Sequence, residues 1–106
     1  MDQALTAIAN PVRRQMLELV WGTERTPSDI AERLGLTRPA TSQHLRVLRD
    51  AGLVDVRAHG GHRYYAIREE RIQAVREFLE QFWGDRLGAL KTAAERRQQQ
   101  RSRGDA

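Results

Sequence analysis

The segment from Thr37 to Leu53 constrains the fold of this chain more than any other stretch. Leu45 and Leu48 recur at helical spacing on one side, while polar residues such as Gln43 and Arg46 lie on the other. A short helix with this pattern packs its apolar side on a core and leaves its polar side free for a partner.

Two alternating segments, Leu53–Ala58 and Arg63–Ile67, follow this helix directly. They are joined by His59-Gly60-Gly61-His62, in which the glycines supply the positive φ that a tight hairpin turn demands. The pattern therefore predicts a β-hairpin. A polar-faced helix followed by a hairpin is the pair of elements with which a winged helix-turn-helix contacts duplex DNA.

Helical spacing and capping residues predict the rest of the chain. Asn10-Pro11 is a strong helix start, because Asn caps well and Pro suits the first helical position. Gly35 fits a left-handed C-terminal position, and Thr37 fits an N-cap. The predicted helices are Gln3–Ala9, Pro11 to about Trp21, Ser28–Leu34, Arg38–Ala51 and a long helix that begins near residues 68–70. The fold class is therefore mainly α with a small β-hairpin, in the order α-α-α-α-β-β-α.

The length of 106 residues favours one domain, which we place at residues 1–94. Residues 95–106 form a polar, basic stretch that we expect to be a disordered tail. No apolar run approaches the ~20 residues that span a bilayer, and no signal peptide is visible. We therefore expect a cytoplasmic protein.

Positive charge is concentrated in one part of the chain. The net charge is +4, and residues 36–68 carry six arginines against two aspartates. Such a concentration is typical of a surface that binds a polyanion, although a solvated charged surface is the plainer alternative. Cysteine is absent, which excludes disulfides, thiolate metal sites and thiol redox switches.

Four stretches together resemble the ArsR/SmtB-like family of winged helix-turn-helix transcriptional regulators, in order and in spacing. They are residues 9–14, residues 30–36, residues 42–54 and Gly61-His62-Arg63-Tyr64-Tyr65. The resemblance covers about residues 3–92, and the helix with Phe82-Trp83 is similar to the cysteine-free branch of the family. It implies a homodimer paired through the first and last helices, bound to a pseudo-palindromic DNA operator and released by an effector.

The polar side of the helix after Thr37 supplies the candidate base-reading residues. Arginine pairs bidentately with guanine and glutamine with adenine. Thr41 is near enough for a thymine methyl but is expected to pack inward, and His44 is expected to contact a phosphate or brace the helix. The predicted recognition-helix residues are Arg38, Ala40, Thr41, Ser42, Gln43, His44 and Arg46.

The hairpin, or wing, supplies the second set of candidates. Wings meet phosphates or the minor groove, where arginine is favoured. Tyr65 and Ile67 alternate with Tyr64 and are expected to pack on the core. The predicted DNA-binding residues of the wing are Arg57, His59, Gly60, Gly61, His62, Arg63 and Tyr64.

The final helix carries more large apolar side chains than one small protomer covers. Two-fold DNA sites also require two recognition helices, which favours a dimer. The candidate interface residues are Leu5, Ile8, Phe78, Phe82, Trp83, Leu87 and Leu90.

The effector leaves several hypotheses open. His59-x-x-His62 could hold nickel or zinc, although a mobile wing is a poor cage and DNA contact is the simpler role. A metal-responsive repressor with surface ligands or an accessory protein is one alternative, and a winged-helix protein-interaction module is another. No cofactor is required. No nucleophile–base pair, phosphate loop or metal cage is visible, so an enzyme is not expected.

Overall fold

The computed structural model describes residues 1–104 and has the predicted order of elements. The elements are α1 (Asp2–Ala9), α2 (Pro11–Leu19), α3 (Pro27–Leu34), α4 (Arg38–Asp50), β1 (Val54–His59), β2 (His62–Ile67) and α5 (Glu69–Gly104). The predicted fold class is therefore confirmed. Helix α2 ends two residues before the predicted Trp21, whose side chain is exposed.

Side-chain caps explain why three of the helices begin where they do. Asn10 Oδ1 accepts hydrogen bonds from the backbone N–H of Val12, at 2.9 Å, and of Arg13. Thr26 and Thr37 cap α3 and α4 in the same way. Each helix has a proline in its first two positions, where a missing N–H costs nothing. The start of α4 is thus set by local sequence.

The wing is an antiparallel hairpin whose register runs from Val54 opposite Ile67 to His59 opposite His62. Gly60 and Gly61 both have positive φ, 55° and 77°, as the predicted tight turn requires. Arg25 and Tyr65 also exchange backbone hydrogen bonds of 3.1 and 2.8 Å. This bridge fastens the wing to the segment before α3.

The core of residues 1–75 is formed by apolar side chains from α1–α4, the wing and the first turns of α5. Met16, Ile30, Leu45 and Leu48 are fully buried. Tyr65 is 8% exposed, so its predicted inward orientation is confirmed. Packing on this core holds α4 and the wing with their polar faces outward.

Residues 76–104 of α5 belong to a second compact unit. Residue 94, where we place the end of the domain, lies within this second unit. The predicted disorder after residue 94 is wrong for residues 95–104, which are helical; residues 105–106 lie outside the described chain. Arg and Gln dominate residues 95–104, and both are good helix formers.

No helix within residues 1–104 is long and apolar enough to cross a membrane.

Candidate nucleic-acid interface

Helix α4 divides into a buried face and an exposed face. Thr41, Leu45 and Leu48 are fully buried, and Thr41 Oγ1 donates a 2.8 Å hydrogen bond to the carbonyl of Thr37. Thr41 therefore has no surface to offer a base, and its inclusion among the DNA-contacting residues is wrong. The neighbouring Ala40 is half-buried.

The exposed face of α4 presents polar side chains without internal partners. Ser42, Gln43 and Arg46 are exposed, and their side chains form no hydrogen bond or ion pair within residues 1–104. Arg49 shares this property and lies on the same face, three residues after Arg46. These side chains are free to bind an external partner, as the sequence predicts for three of them.

Arg38, at the start of α4, is held by a contact with α3. Its guanidinium Nη1 donates a short hydrogen bond to Ser28 Oγ. Ser28 is the second residue of α3, so this contact spans the turn between the two helices. Arg38 is exposed and its side chain is oriented by Ser28.

His44 is half-buried and faces helix α2. Its Nδ1 lies 3.5 Å from Arg13 Nη1, and Arg13 also donates to the carbonyls of Ala7, at 2.8 Å, and Thr6, at 3.2 Å. Arg13 thus joins the end of α1 to α4. Of the two roles expected for His44, bracing the helix is the one that these contacts favour.

A polar cleft of about 630 Å³ lies between the start of α3, the exposed face of α4 and the tip of the wing. Four arginines and one aspartate line it, so it is strongly cationic. The lining residues are Thr26, Pro27, Ser28, Arg38, Ser42, Arg46, Arg49, Asp50, Gly61, His62, Arg63 and Tyr65. Three of the recognition-helix candidates and three of the wing candidates therefore converge on one surface, namely Arg38, Ser42, Arg46, Gly61, His62 and Arg63.

The register of the hairpin separates two wing arginines. Arg63 shares a face with Tyr65, lines the cleft, and is exposed without an internal partner within residues 1–104. Arg57 lies opposite Tyr64 on the other face of the hairpin. The two arginines, which are equivalent in the sequence, therefore have different surroundings.

Arg57 is engaged by an acidic side chain of the α2–α3 segment. Its Nη2 donates a 2.7 Å hydrogen bond to Glu24 Oε2, and its guanidinium lies 5.2 Å from the centre of the Tyr64 ring. The hydrogen bond from Arg57 holds the pKa of Glu24 below its usual value, and Glu24 raises the pKa of Arg57. Both groups are charged, and the pair is neutral as a whole.

The two histidines of the wing lie opposite each other at the end of the hairpin. Both are exposed, as are Gly60 and Gly61 between them, and the ring of His62 packs edge-on against that of Tyr64. No group of three or more metal-ligating side chains occurs in the described part of the chain. A metal at His59 and His62 would have two protein ligands there.

The predicted dimer residues fall in both units. Leu5 and Ile8 of α1 are half-buried at the edge of the core. In residues 76–104, Phe82 stacks on Phe78 and meets Trp83 edge-on, with centroids 4.8 Å apart in the latter pair. Leu79, Phe82, Trp83, Leu87 and Leu90 are between 38% and 65% exposed. The helix thus leaves large apolar side chains uncovered.

Several residues of the site were missed in the sequence. Arg49 had a signal, because it follows Arg46 at helical spacing. Ser28 and Glu24 had none, since each acts through an arginine far along the chain.

Comparison with known proteins identifies relatives of this chain. Residues 10–56 match the family model described as bacterial regulatory protein, arsR family. The transcriptional repressor SdpR of Bacillus subtilis is 33% identical over 69% of this chain and 81% of its own length. The HTH-type transcriptional regulator Rv2034 of Mycobacterium tuberculosis is 37% identical over 77% of each chain.

Among solved structures, the homodimeric winged helix-turn-helix DNA-binding domain of Mb0332 from Mycobacterium bovis is similar to this chain. It superposes with a TM-score of 0.65 and 29% identity, and the match covers 81% of this chain and 80% of that domain.

Proposed function

This chain belongs to the ArsR family of bacterial regulatory proteins, and from that membership we propose that it is a homodimeric repressor of a pseudo-palindromic operator. It is a DNA-binding transcriptional regulator, as its relatives are. In the proposal, α4 enters the major groove and the wing contacts the flanking backbone. The site of action is the cytoplasm, at the nucleoid.

One observation carries the proposed DNA contact. Arg46 and Arg49 of α4 and Arg63 of the wing border one cleft, and each is exposed without an internal partner within residues 1–104. Unpaired cations at this density are costly to bring together unless a polyanion neutralises them. A duplex supplies phosphates for that purpose and guanine edges for a bidentate arginine.

The homodimer is supported by two independent observations. Mb0332 is a homodimer with the same fold, and residues 76–104 of this chain expose a series of large apolar side chains. Two protomers would present two α4 helices to half-sites one helical turn apart.

The similarity to SdpR, a transcriptional repressor, supports a role in repression. The proposal also includes release of the repressor from DNA by an effector. The effector is not a thiolate-bound metal, because the chain contains no cysteine. A nickel- or zinc-responsive version is a second candidate, favoured only by the opposed pair His59 and His62. Calorimetric titration of wild type and a His59→Ala/His62→Ala variant with each metal tests it; equal heats in both would contradict it.

The experiment that tests DNA reading is footprinting on the protein's own promoter region, followed by titration of Arg46→Ala. We expect operator affinity to fall about 5- to 150-fold for each half-site, the range for one bidentate base contact, with a smaller loss on mixed-sequence duplex. Lys91→Ala, which removes one charge from α5, is the control. Equal losses of affinity on both duplexes would contradict base reading by Arg46. If the wild-type protein showed no salt-sensitive binding to duplex DNA, a protein-interaction module would be favoured.

A further inference from the structure

The outer face of the wing carries an ion pair that the cleft does not use. Arg57 Nη2 and Nε direct hydrogen bonds to the Glu24 carboxylate, at 2.7 Å and 3.3 Å. The side chains are 54% and 41% exposed, so solvent and ions reach both. A pair of this kind contributes little to the stability of the fold.

Arg57 lies near the turn of the hairpin, which is the end that would face DNA in the proposed function. Two residue steps, about 7 Å, separate it from His59 at the turn, which is within the reach of an extended arginine side chain. Its guanidinium fork suits carboxylate and phosphate oxygens equally well. Glu24 therefore occupies the donor group that a DNA phosphate at the wing would use.

We propose that Glu24 restrains the affinity of this protein for DNA by acting as an internal substitute for a phosphate at Arg57. This inference rests on the proposed contact between the wing and DNA, and it identifies Glu24 as a residue that weakens that contact. Because a phosphate contact is independent of sequence, the restraint lowers the affinity for operator and non-operator duplexes alike and leaves their ratio unchanged.

The proposal predicts that the two wing arginines contribute differently to DNA binding. Arg63, which has no partner within the described residues, contributes a phosphate contact and steepens the dependence of log K on log salt, whereas Arg57, neutralised by Glu24, does neither. When Glu24 loses its charge, Arg57 becomes available, and the duplex releases about one more counterion for each protomer that binds it.

The test measures binding of the full chain to a labelled mixed-sequence duplex over a salt series from about 50 to 200 mM. Glu24→Gln keeps the shape of the side chain and removes its charge. For each protomer of the bound dimer, we expect the slope of log K against log salt to be steeper by about 0.9 and the affinity to be about 5- to 10-fold higher near 0.1 M salt. Circular dichroism confirms that each variant is folded.

Two comparisons separate this mechanism from general electrostatics. Glu18→Gln makes the same change in net charge at an exposed glutamate that has no ion pair within residues 1–104, and should leave the slope unchanged. In an Arg57→Ala background, Glu24→Gln should have no further effect, because the arginine it releases is gone.

Three results would overturn the inference while wild type still binds DNA in a salt-sensitive way. The first is an equal gain in duplex affinity from Glu18→Gln and Glu24→Gln, and the second is a gain from Glu24→Gln that persists in the Arg57→Ala background. The third is weaker duplex binding by Glu24→Gln, which would show that the ion pair holds the wing in its DNA-binding conformation. Absence of salt-sensitive duplex binding by wild type would overturn the proposed function as well.

Discussion

At the scale of single residues, the chemistry of this protein depends on which arginines have partners. Arg57 is neutralised by Glu24 and Arg38 is oriented by Ser28, whereas Arg46 and Arg63 face the cleft alone within residues 1–104. An unpaired guanidinium keeps its full attraction for phosphate, while a paired one must first give up its partner. Residue type alone therefore does not identify a DNA contact.

Arg63→Ala should weaken binding to operator and mixed-sequence duplex to a similar extent. The expected change is a slope of log K against log salt that is shallower by about 0.9 for each bound protomer, since each loses one phosphate contact. Fluorescence anisotropy over a salt series measures it, with Lys91→Ala as the control. An unchanged slope would place Arg63 away from the phosphates.

Thr41→Val should affect stability and leave DNA binding alone. The variant removes the buried hydrogen bond from Thr41 Oγ1 to Thr37, which costs about 1 kcal/mol, and the backbone bond between the same residues stays. Urea unfolding measures the loss, with the exposed Ser42→Ala as the control for stability. A reduced operator affinity of the folded variant would restore Thr41 as a contact residue.

At the scale of elements, the interface depends on how α3 and the wing are fastened to the segment between α2 and α3. Arg25 exchanges backbone hydrogen bonds with Tyr65, and its side chain donates to Asp29 and to the carbonyl of Leu19. Asp29 also accepts from Arg33. The start of α3 and the base of the wing are thereby held together by one cluster of charges and one short bridge.

This cluster predicts an acid-dependent loss of stability. Hydrogen bonds from Arg25 and then Arg33 lower the pKa of Asp29. A carboxyl with a lowered folded-state pKa stabilises the fold above its unfolded-state pKa, and that contribution is lost as the pH falls through the folded-state value. Asp29→Asn should therefore be less stable than wild type at neutral pH and should lose less stability on acidification.

Urea unfolding at neutral and acidic pH measures this difference. Glu32→Gln is the matched control, because Glu32 is exposed on the same helix and has no ion pair within residues 1–104. Parallel stability losses in wild type and Asp29→Asn from neutral to acidic pH would show that the cluster contributes no pH dependence.

At the scale of the whole molecule, the chain divides into residues 1–75, which carry the cleft, and residues 76–104, which carry the uncovered apolar side chains. Trp83 and Leu87 expose about half of their surface. Large apolar side chains exposed together in this way are typical of a surface that binds another protein. In the proposed dimer, the second unit is the part that brings two reading surfaces to one operator.

Trp83→Asp should therefore weaken self-association about 30-fold or more, the effect expected when a charge replaces an aromatic residue at the centre of an interface. Analytical ultracentrifugation measures it, and operator affinity should fall in parallel. Gln98→Asp, which adds the same charge to the exposed part of α5 after Leu90, is the control. A wild type that is monomeric at micromolar concentration would refute the dimer.

The sequence by itself determined the order of the elements, the caps at Asn10 and Thr37, the hairpin turn and the inward side of Tyr65. These features follow from interactions within a few residues, namely capping, periodicity and the φ preferences of glycine. The error at residues 95–104 was also local, because the polarity of the stretch was weighted above the helix propensity of its Arg and Gln residues.

Only the tertiary structure decided which of the polar residues are free. Glu24 and Arg57 are 33 positions apart, and Ser28 and Arg38 are 10 apart, so nothing in the sequence around either arginine indicates its partner. Ion pairing depends on distances of a few ångströms, and packing sets those distances. The basic composition of residues 36–68 predicted a surface for a polyanion; packing selected the arginines that form it.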